Sequence, residues 1–390
     1  MSDRFEIQSR CGNARTGIFT TKHGSIQTPA FMPVATQGSV KSLSSEDLID
    51  LGASIILSNV YHLMLRPSIN TIAELGGLHK FMNWKLPILT DSGGFQTLSL
   101  SRFAKVSEEG VRFKSHIDGH QIFMTPELVL EHQAKLGVDI AMLLDHCISP
   151  QSDYLHTKTA MERTHNWAIR SKAVKTSTDQ SVFAIVQGGI DHELRLESAK
   201  TLTEMDFDGY AIGGLSVGES KDDMYKTVLV TSIVLPKEKP RYLMGVGSPE
   251  DIVNCVDYGI DLFDCVLPTR VARNGSLFTK YGRINVNRSI YRYASDPIEE
   301  SCDCYTCSRY SMAYLNHLFK AKELLGYRLA TIHNLRYIMC LMEQIRNHID
   351  SGTFDRFKQE FLLAYQPTNE HVRLEQKKKW QNRLYSDNIK

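Results

Sequence analysis

Residues 125–147 read "TPELVLEHQAKLGVDIAMLLDHC". The first half opens on Thr125-Pro126, a cap residue followed by a proline at the first helical position, and keeps helical spacing as far as Gly137. The second half, Asp139–Asp145, is an unbroken apolar run between two aspartates. It lacks polar alternation, as a strand covered on both faces of a parallel sheet does. A helix that feeds directly into a buried strand is half of an αβ repeat, so the fold turns on how often the pair recurs.

Seven more runs of this kind lie along the chain: Ala30–Thr36, Ala53–Asn59, Pro87–Asp91, Val182–Gln187, Gly209–Leu215, Tyr242–Val246 and Leu262–Val266. Between many of them lie helical stretches such as "HTKTAMERTHNWAIRSKAV" and "SPEDIVNCVDYG", several opened by Ser, Thr or Asp. Eight strands alternating with helices predict an α/β fold, a (β/α)8 TIM barrel over residues 1–275. After the eighth run the pattern changes. "GSLFTKYGRINVNRS" alternates around Tyr281-Gly282 and predicts a hairpin, a cysteine cluster follows, and "RLATIHNLRYIMCLMEQIRNHIDSG" has strong helical periodicity. We expect a metal-bearing insertion over residues 276–340 and a C-terminal helical segment, 341–390, packed on the barrel. The charged tail "RLEQKKKWQNR" reads as a solvated helix face, with an RNA-facing basic stripe as the other reading.

Composition narrows the functional classes. With 45 basic and 44 acidic residues among 390, no overall field draws the chain to nucleic acid or membrane, so any such contact is local. No apolar run approaches the roughly 18 residues of a membrane span, and "MSDRFEIQSR" has no apolar targeting core. A cytoplasmic protein is expected. Eight cysteines are too few for a disulfide framework, and three of them crowd into "CDCYTC". Cys302, Cys304 and Cys307 with His333 make a closed tetrahedral set for one zinc ion per subunit, which leaves no position for water and marks the site as structural. His317 is the competing fourth ligand on spacing alone.

Barrel chemistry gathers at the C-terminal ends of the strands. Asp91, Asp145, Gln187 and Asp264 all lie at or near such ends, each on a different strand. Glycine pairs stand beside three of these ends, at Gly93-Gly94, Gly188-Gly189 and Gly213-Gly214. Each pair alone could be a tight turn. Together they suggest a narrow pocket in which backbone amides read a flat polar molecule, with Phe95 and Met244 as stacking walls. Two carboxylates beside a sugar suggest glycosidic chemistry through a covalent intermediate. Arg270 and Arg273 follow Asp264 and can pair with phosphates, or else form salt bridges on the rim.

The segments "TDSGGFQ", "DIAMLLDHC", "AIVQGG", "GYAIGGLSVGE", "RYLMGVG", "DLFDCVLPTRVARNG" and "CDCYTC…TIHNLRY" together resemble the tRNA-guanine transglycosylases of the bacterial type, from about Arg4 to Tyr365. The resemblance implies a barrel with a zinc subdomain, a homodimer, and a pentosyltransferase that exchanges guanine 34 in the anticodon loop of GUN-anticodon tRNAs (those for Asp, Asn, His and Tyr) for a 7-deazaguanine base, in queuosine biosynthesis. It implies Asp264 as the nucleophile on the ribose and Asp91 as general acid/base. Asp145, Gln187 and the Gly214 amide are implied to read the purine edge, with the Leu215 carbonyl facing the 7-substituent and Glu219 supporting that segment. Phe95 and Met244 then sandwich the base, Asn59 and Ser92 line the pocket, and Arg270 and Arg273 contact the RNA. Cys302, Cys304, Cys307 and His333 match the zinc ligands. Cys147 and Val217 match relatives that take 7-aminomethyl-7-deazaguanine (preQ1), whereas His146 stands where bacterial relatives carry Glu and keeps queuine open as the incoming base. A barrel glycosidase and a non-catalytic RNA-binding subunit are the alternatives; the first leaves the zinc set and arginines without a use, and the second would be expected to lack the pair Asp91 and Asp264.

Overall fold

The computed structural model describes residues 4–99, 104–115, 117–174, 179–368 and Glu375. All eight expected strands join one parallel sheet: Ala30–Met32, Ile56–Asn59, Ile88–Asp91, Ile140–Met142, Ser181–Val186, Gly209–Ile212, Arg241–Leu243 and Leu262–Asp264. Each is paired with its sequence neighbours except that the eighth returns to the first, Leu262 lying opposite Ala30 and Asp264 opposite Met32. A parallel bridge between Val34 and Leu57 closes the first strand on the second, with the Leu57 amide donating to Pro33 O at 3.0 Å. The result is a closed barrel. Most strands are shorter than the apolar runs that announced them. The residues beyond the ladder, Leu143–Asp145, Gly213 and Leu215 among them, stay buried but turn inward as the rim of the pocket.

The helix Pro126–Leu136 forms as its sequence requires: Thr125 accepts from the Leu128 amide, Pro126 fills the first turn, and Gly137 ends it at φ 71. Its Gln133 is fully buried and bonds Thr90 Oγ1 and the Met142 amide, fixing the helix against the third and fourth strands. The helices Tyr154–Lys172, His192–Glu204 and Lys221–Val234 follow it in order, each packed on the one before.

Two antiparallel sheets were not expected from the sequence. The first, Phe5–Cys11, Ala14–Thr21 and Gly24–Thr28, drives Phe5, Phe19 and Ile26 into the barrel interior beside Met142, Phe183 and Tyr242. The Phe19 and Phe183 rings lie 5.7 Å apart. The second, Ala104–Val106, Val111–Lys114 and Gln121–Met124, lies between the third strand and the helix Pro126–Leu136. The N-terminal sheet is anchored by Arg15, whose guanidinium pairs with Asp261 at 2.6 and 2.9 Å and also donates to the carbonyls of Lys237 and Lys239. Both side chains are sealed from solvent. Breaking such a pair leaves an uncompensated buried charge, so Asp261→Ala should cost about 3–5 kcal/mol. A urea midpoint unchanged from wild type would show the pair to be dispensable.

The hairpin around Tyr281-Gly282 is present as Ser276–Thr279 and Gly282–Asn285. The helix Leu324–Asp350 then runs unbroken past residue 340 and along the barrel, where Arg346 donates to Pro29 O and Thr16 to Asp350. Within it Asn334 holds three pieces together, accepting from the Phe278 amide and donating to Pro268 O and Ser276 O. The helix Phe354–Ala364 follows, tied by Lys358 to Asp257 at 2.6 Å. Apart from Glu375, the charged tail lies outside the described residues. Among the described residues, no helix is long and apolar enough to cross a membrane.

Candidate active site and metal centre

Three aspartates meet at the C-terminal mouth of the barrel. Asp91 closes the third strand and Asp264 the eighth, and Asp145 follows the fourth. Their environments differ. Asp264 accepts from the Tyr242 hydroxyl at 2.6 Å and from the Gly245 amide at 2.7 Å, both on Oδ1. Oδ2 is left to the pocket. Burial raises its carboxyl above the ordinary range, and the two donors oppose that rise.

Asp91 accepts from Asn59 Nδ2 at 3.2 Å on one oxygen, while the other is buried with no partner. Burial first, then the charges of Asp145 and Asp264, push this carboxyl up to about 7. It therefore exchanges a proton near neutrality. Asp145 is pushed to about 6 by burial, against the hydrogen bond it accepts from Gln187 at 2.6 Å. Three carboxyls so close cannot all carry charge at low cost, and the different donors decide which one gives way.

The glycine pairs explain how the backbone reaches these groups. A Cβ at Gly94 would overlap the Asp145 carboxylate, and one at Gly213 would sit 2.9 Å from Gln187 Nε2. Gly214 adopts φ +68 against the same amide. Glu219 accepts from the amides of Ser216, Val217 and Gly218, which pins the turn after the sixth strand with Leu215 buried beneath it. Ser92 accepts from the Gly94 amide, and Asn59 spans Asp91 and Gln96. Phe95, 39% exposed, stands at the rim, and the half-buried Met244 sulfur lies 3.6 Å from where a Gly213 Cβ would be. Cys147 is buried, its thiol raised by burial and by Asp145, and Val217 is half-buried. His146 turns to the helix Tyr154–Lys172, its Nδ1 3.0 Å from Arg163. Burial and Arg163 hold it at about 4, so it brings no charge.

Arg270 and Arg273 lie in the last turn of the short helix Leu267–Arg273 that follows Asp264. Arg270 is exposed, and Arg273 donates to Thr269 O at 2.9 Å. Among the described residues neither forms an ion pair, which removes the salt-bridge reading. One pocket group, Tyr242, went unread in the sequence. Its signal was a tyrosine inside a fully buried strand, whose hydroxyl must find a partner; the partner, Asp264, becomes visible only when Tyr242 is aligned with Leu262 across the sheet.

Cys302, Cys304, Cys307 and His333 come together with all ligand atoms within 4.8 Å. Their Sγ atoms lie 3.7, 3.7 and 3.3 Å from His333 Nδ1. A tetrahedral zinc with ordinary Zn–S and Zn–N bonds sets that edge at about 3.6 Å. The residues fit. His333 Nε2 donates to Phe278 O at 2.7 Å, which fixes the tautomer and leaves Nδ1 free for metal. His317 is exposed and stacks on Tyr314, away from the cysteines. A second group, His23, His79 and Asp139, is also tightly gathered. Its imidazoles stack 3.7 Å apart at 22°, so their in-plane lone pairs run side by side and do not converge on an ion. His23 Nδ1 hydrogen-bonds Asp139 at 2.9 Å and His79 Nε2 lies 3.2 Å from its other oxygen, so the group is a clasp on Asp139.

Fold and site together describe a (β/α)8 barrel with three carboxylates gathered at its C-terminal mouth and a Cys3His cluster able to hold a metal ion. A family model described as queuine tRNA-ribosyltransferase matches residues 10–367, and the chain belongs to that family. It is 53% identical over 367 residues to the queuine tRNA-ribosyltransferase of Dehalococcoides mccartyi, covering 94% of each chain. Similarity to the proteins of the same name from Thermoanaerobacter sp. (55% over 354 residues, 90% of this chain and 94% of the relative) and Dictyoglomus turgidum (50% over 381 residues, 97% and 98%) is of the same order.

Proposed function

We propose that this enzyme exchanges guanine 34 in the anticodon loop of GUN-anticodon tRNAs for preQ1, through a ribosyl ester on Asp264. The observation that carries the reading is the division of labour between Asp264 and Asp91. Asp264 has two donors on one oxygen and offers the other, as an ionised nucleophile requires; Asp91 sits near 7 with an unpartnered oxygen, as a proton carrier requires. Asp264 Oδ2 attacks C1′ as the bond to guanine breaks, and the departing base takes up the Asp91 proton. The incoming base returns a proton to Asp91 and displaces Asp264 from C1′. The glycosidic bond energy is kept in the ester, so no cofactor is consumed.

Asp145, Gln187 and the Gly214 amide read the purine edge, while the Leu215 carbonyl faces the 7-substituent on a segment held by Glu219. Phe95 and Met244 stack on the base, and Asn59 and Ser92 line its pocket. Cys147 and Val217 limit the space beyond the 7-position, where queuine's larger substituent would be crowded. Arg270 and Arg273 engage phosphates of the loop, whose bases flip out at low cost. One structural zinc per subunit, a homodimer formed through the zinc subdomain, and a cytoplasmic setting complete the proposal.

The test is incorporation of labelled guanine into an anticodon stem-loop carrying U-G-U, followed from pH 5 to 9. Asp91 loses its proton as pH rises through about 7, so the rate should fall above that value. It should fall again in acid as Asp264 takes up a proton. A rate flat from pH 6 to 8.5 would remove Asp91 from the role, and preferential competition by queuine over preQ1 would change the incoming base.

A further inference from the structure

The structure points to an anchoring device behind Gln187: we propose that Arg195 and Ser198, with His165 at their back, are positioning residues that hold Gln187 against the base. This rests on the reading of Gln187 as a base-edge group. The helix His192–Glu204 places Arg195 and Ser198 three residues apart, on one face toward the end of the fifth strand. Arg195 Nε donates to Gly189 O at 2.8 Å and Nη1 to Val186 O at 2.9 Å. The two bonds bracket Gln187-Gly188. Ser198 Oγ accepts the amide of Gln187 itself at 3.3 Å and shares a second hydrogen bond with His165 Nε2, 2.9 Å away. Burial keeps His165 neutral, at about 4, so it backs Ser198 without adding a charge.

All three side chains are buried. Burial pulls the Arg195 guanidinium down to about 10 against the favourable charge of Glu219, and its Nη2 has no hydrogen-bond partner among the described residues. A sealed guanidinium with one nitrogen left unpartnered is a costly choice for simple cohesion. Its use is geometric. Gly188 (φ +138) and Gly189 (φ +59) give this loop a path only glycine takes freely, and a Cβ at Gly188 would lie 2.9 Å from the Arg195 amide. A loop so permissive needs a rigid external fork to fix where Gln187 points, and the planar guanidinium is such a fork.

The experiment compares Ser198→Ala and Arg195→Lys with Gln187→Ala as reference, measuring KM for guanine, KM for the stem-loop, and kcat. Losing one anchor should raise the guanine KM about three- to tenfold while the RNA KM and kcat stay within about twofold. Ser198→Ala in the Gln187→Ala background should add nothing, because the anchored group is gone. If Gln187→Ala raises the guanine KM and neither anchor variant does, or if the anchor effects add fully to it, the inference is overturned. If Gln187→Ala itself leaves the guanine KM unchanged, the base-edge reading fails and the inference falls with it. Should Arg195→Lys not fold, Ser198→Ala alone decides, since it removes one buried oxygen and no bulk.

Discussion

Asp264→Asn is expected to abolish base exchange while tRNA binding persists. The argument is local. Both protein donors to Asp264, the Tyr242 hydroxyl and the Gly245 amide, meet a single oxygen. An asparagine keeps an acceptor there and presents its amide nitrogen to the pocket, so the fold of the site survives and only the nucleophile is lost. Removing a covalent nucleophile costs at least about four orders of magnitude in turnover. Binding should change little, because Arg270 and Arg273 stand on a separate helix. Single-turnover exchange, filter binding of the stem-loop, and a denaturing gel for the protein–RNA ester report the three quantities separately. A variant that still exchanges at the wild-type rate would return Asp264 to the status of a strand end.

How much of this was legible depended on whether a residue's partner lies close in sequence. Asp91, Asp145 and Asp264 each follow an apolar run, so the one-dimensional pattern marks them and the barrel rule brings them together. All eight strands were found for the same reason, although several ladders stop short of the runs because buried backbone continues into the rim. The N-terminal sheet was missed because its strands mix polar and apolar residues, as in "FEIQSRC", and only its inward Phe5 and Phe19 reveal that it plugs the barrel. Arg195 and Ser198 left no trace, since their partners are main-chain atoms in a loop. His333 and His317 could not be separated by spacing; the helix starting at Leu324 separates them by turning His333 inward and sealing it.

Loss of the metal should strike RNA binding before it strikes base recognition. Cys302, Cys304 and Cys307 lie in a segment with little regular structure, and the ion would link that segment to His333 in the helix Leu324–Asp350. Structural zinc in such a setting contributes several kcal/mol of folding free energy. His333 adjoins Asn334, whose side chain grips Pro268 O, Ser276 O and the Phe278 amide. Pro268 opens the helix that carries Arg270 and Arg273, so slack at His333 passes through one residue to the arginines proposed to engage RNA. Asp145 and Gln187 instead bond each other after the fourth and fifth strands, and Glu219 bonds the amides of its own turn after the sixth. Cys304→Ser, or chelation of the wild type, should therefore lower the melting temperature, release one zinc per chain, and raise the RNA KM by about tenfold or more. The guanine KM should hold within about twofold in whatever fraction stays folded. Equal losses in both constants would mean that the zinc region supports the barrel as a whole, and no loss in either would mean that the helix Leu324–Asp350 holds Asn334 in place without help from a metal.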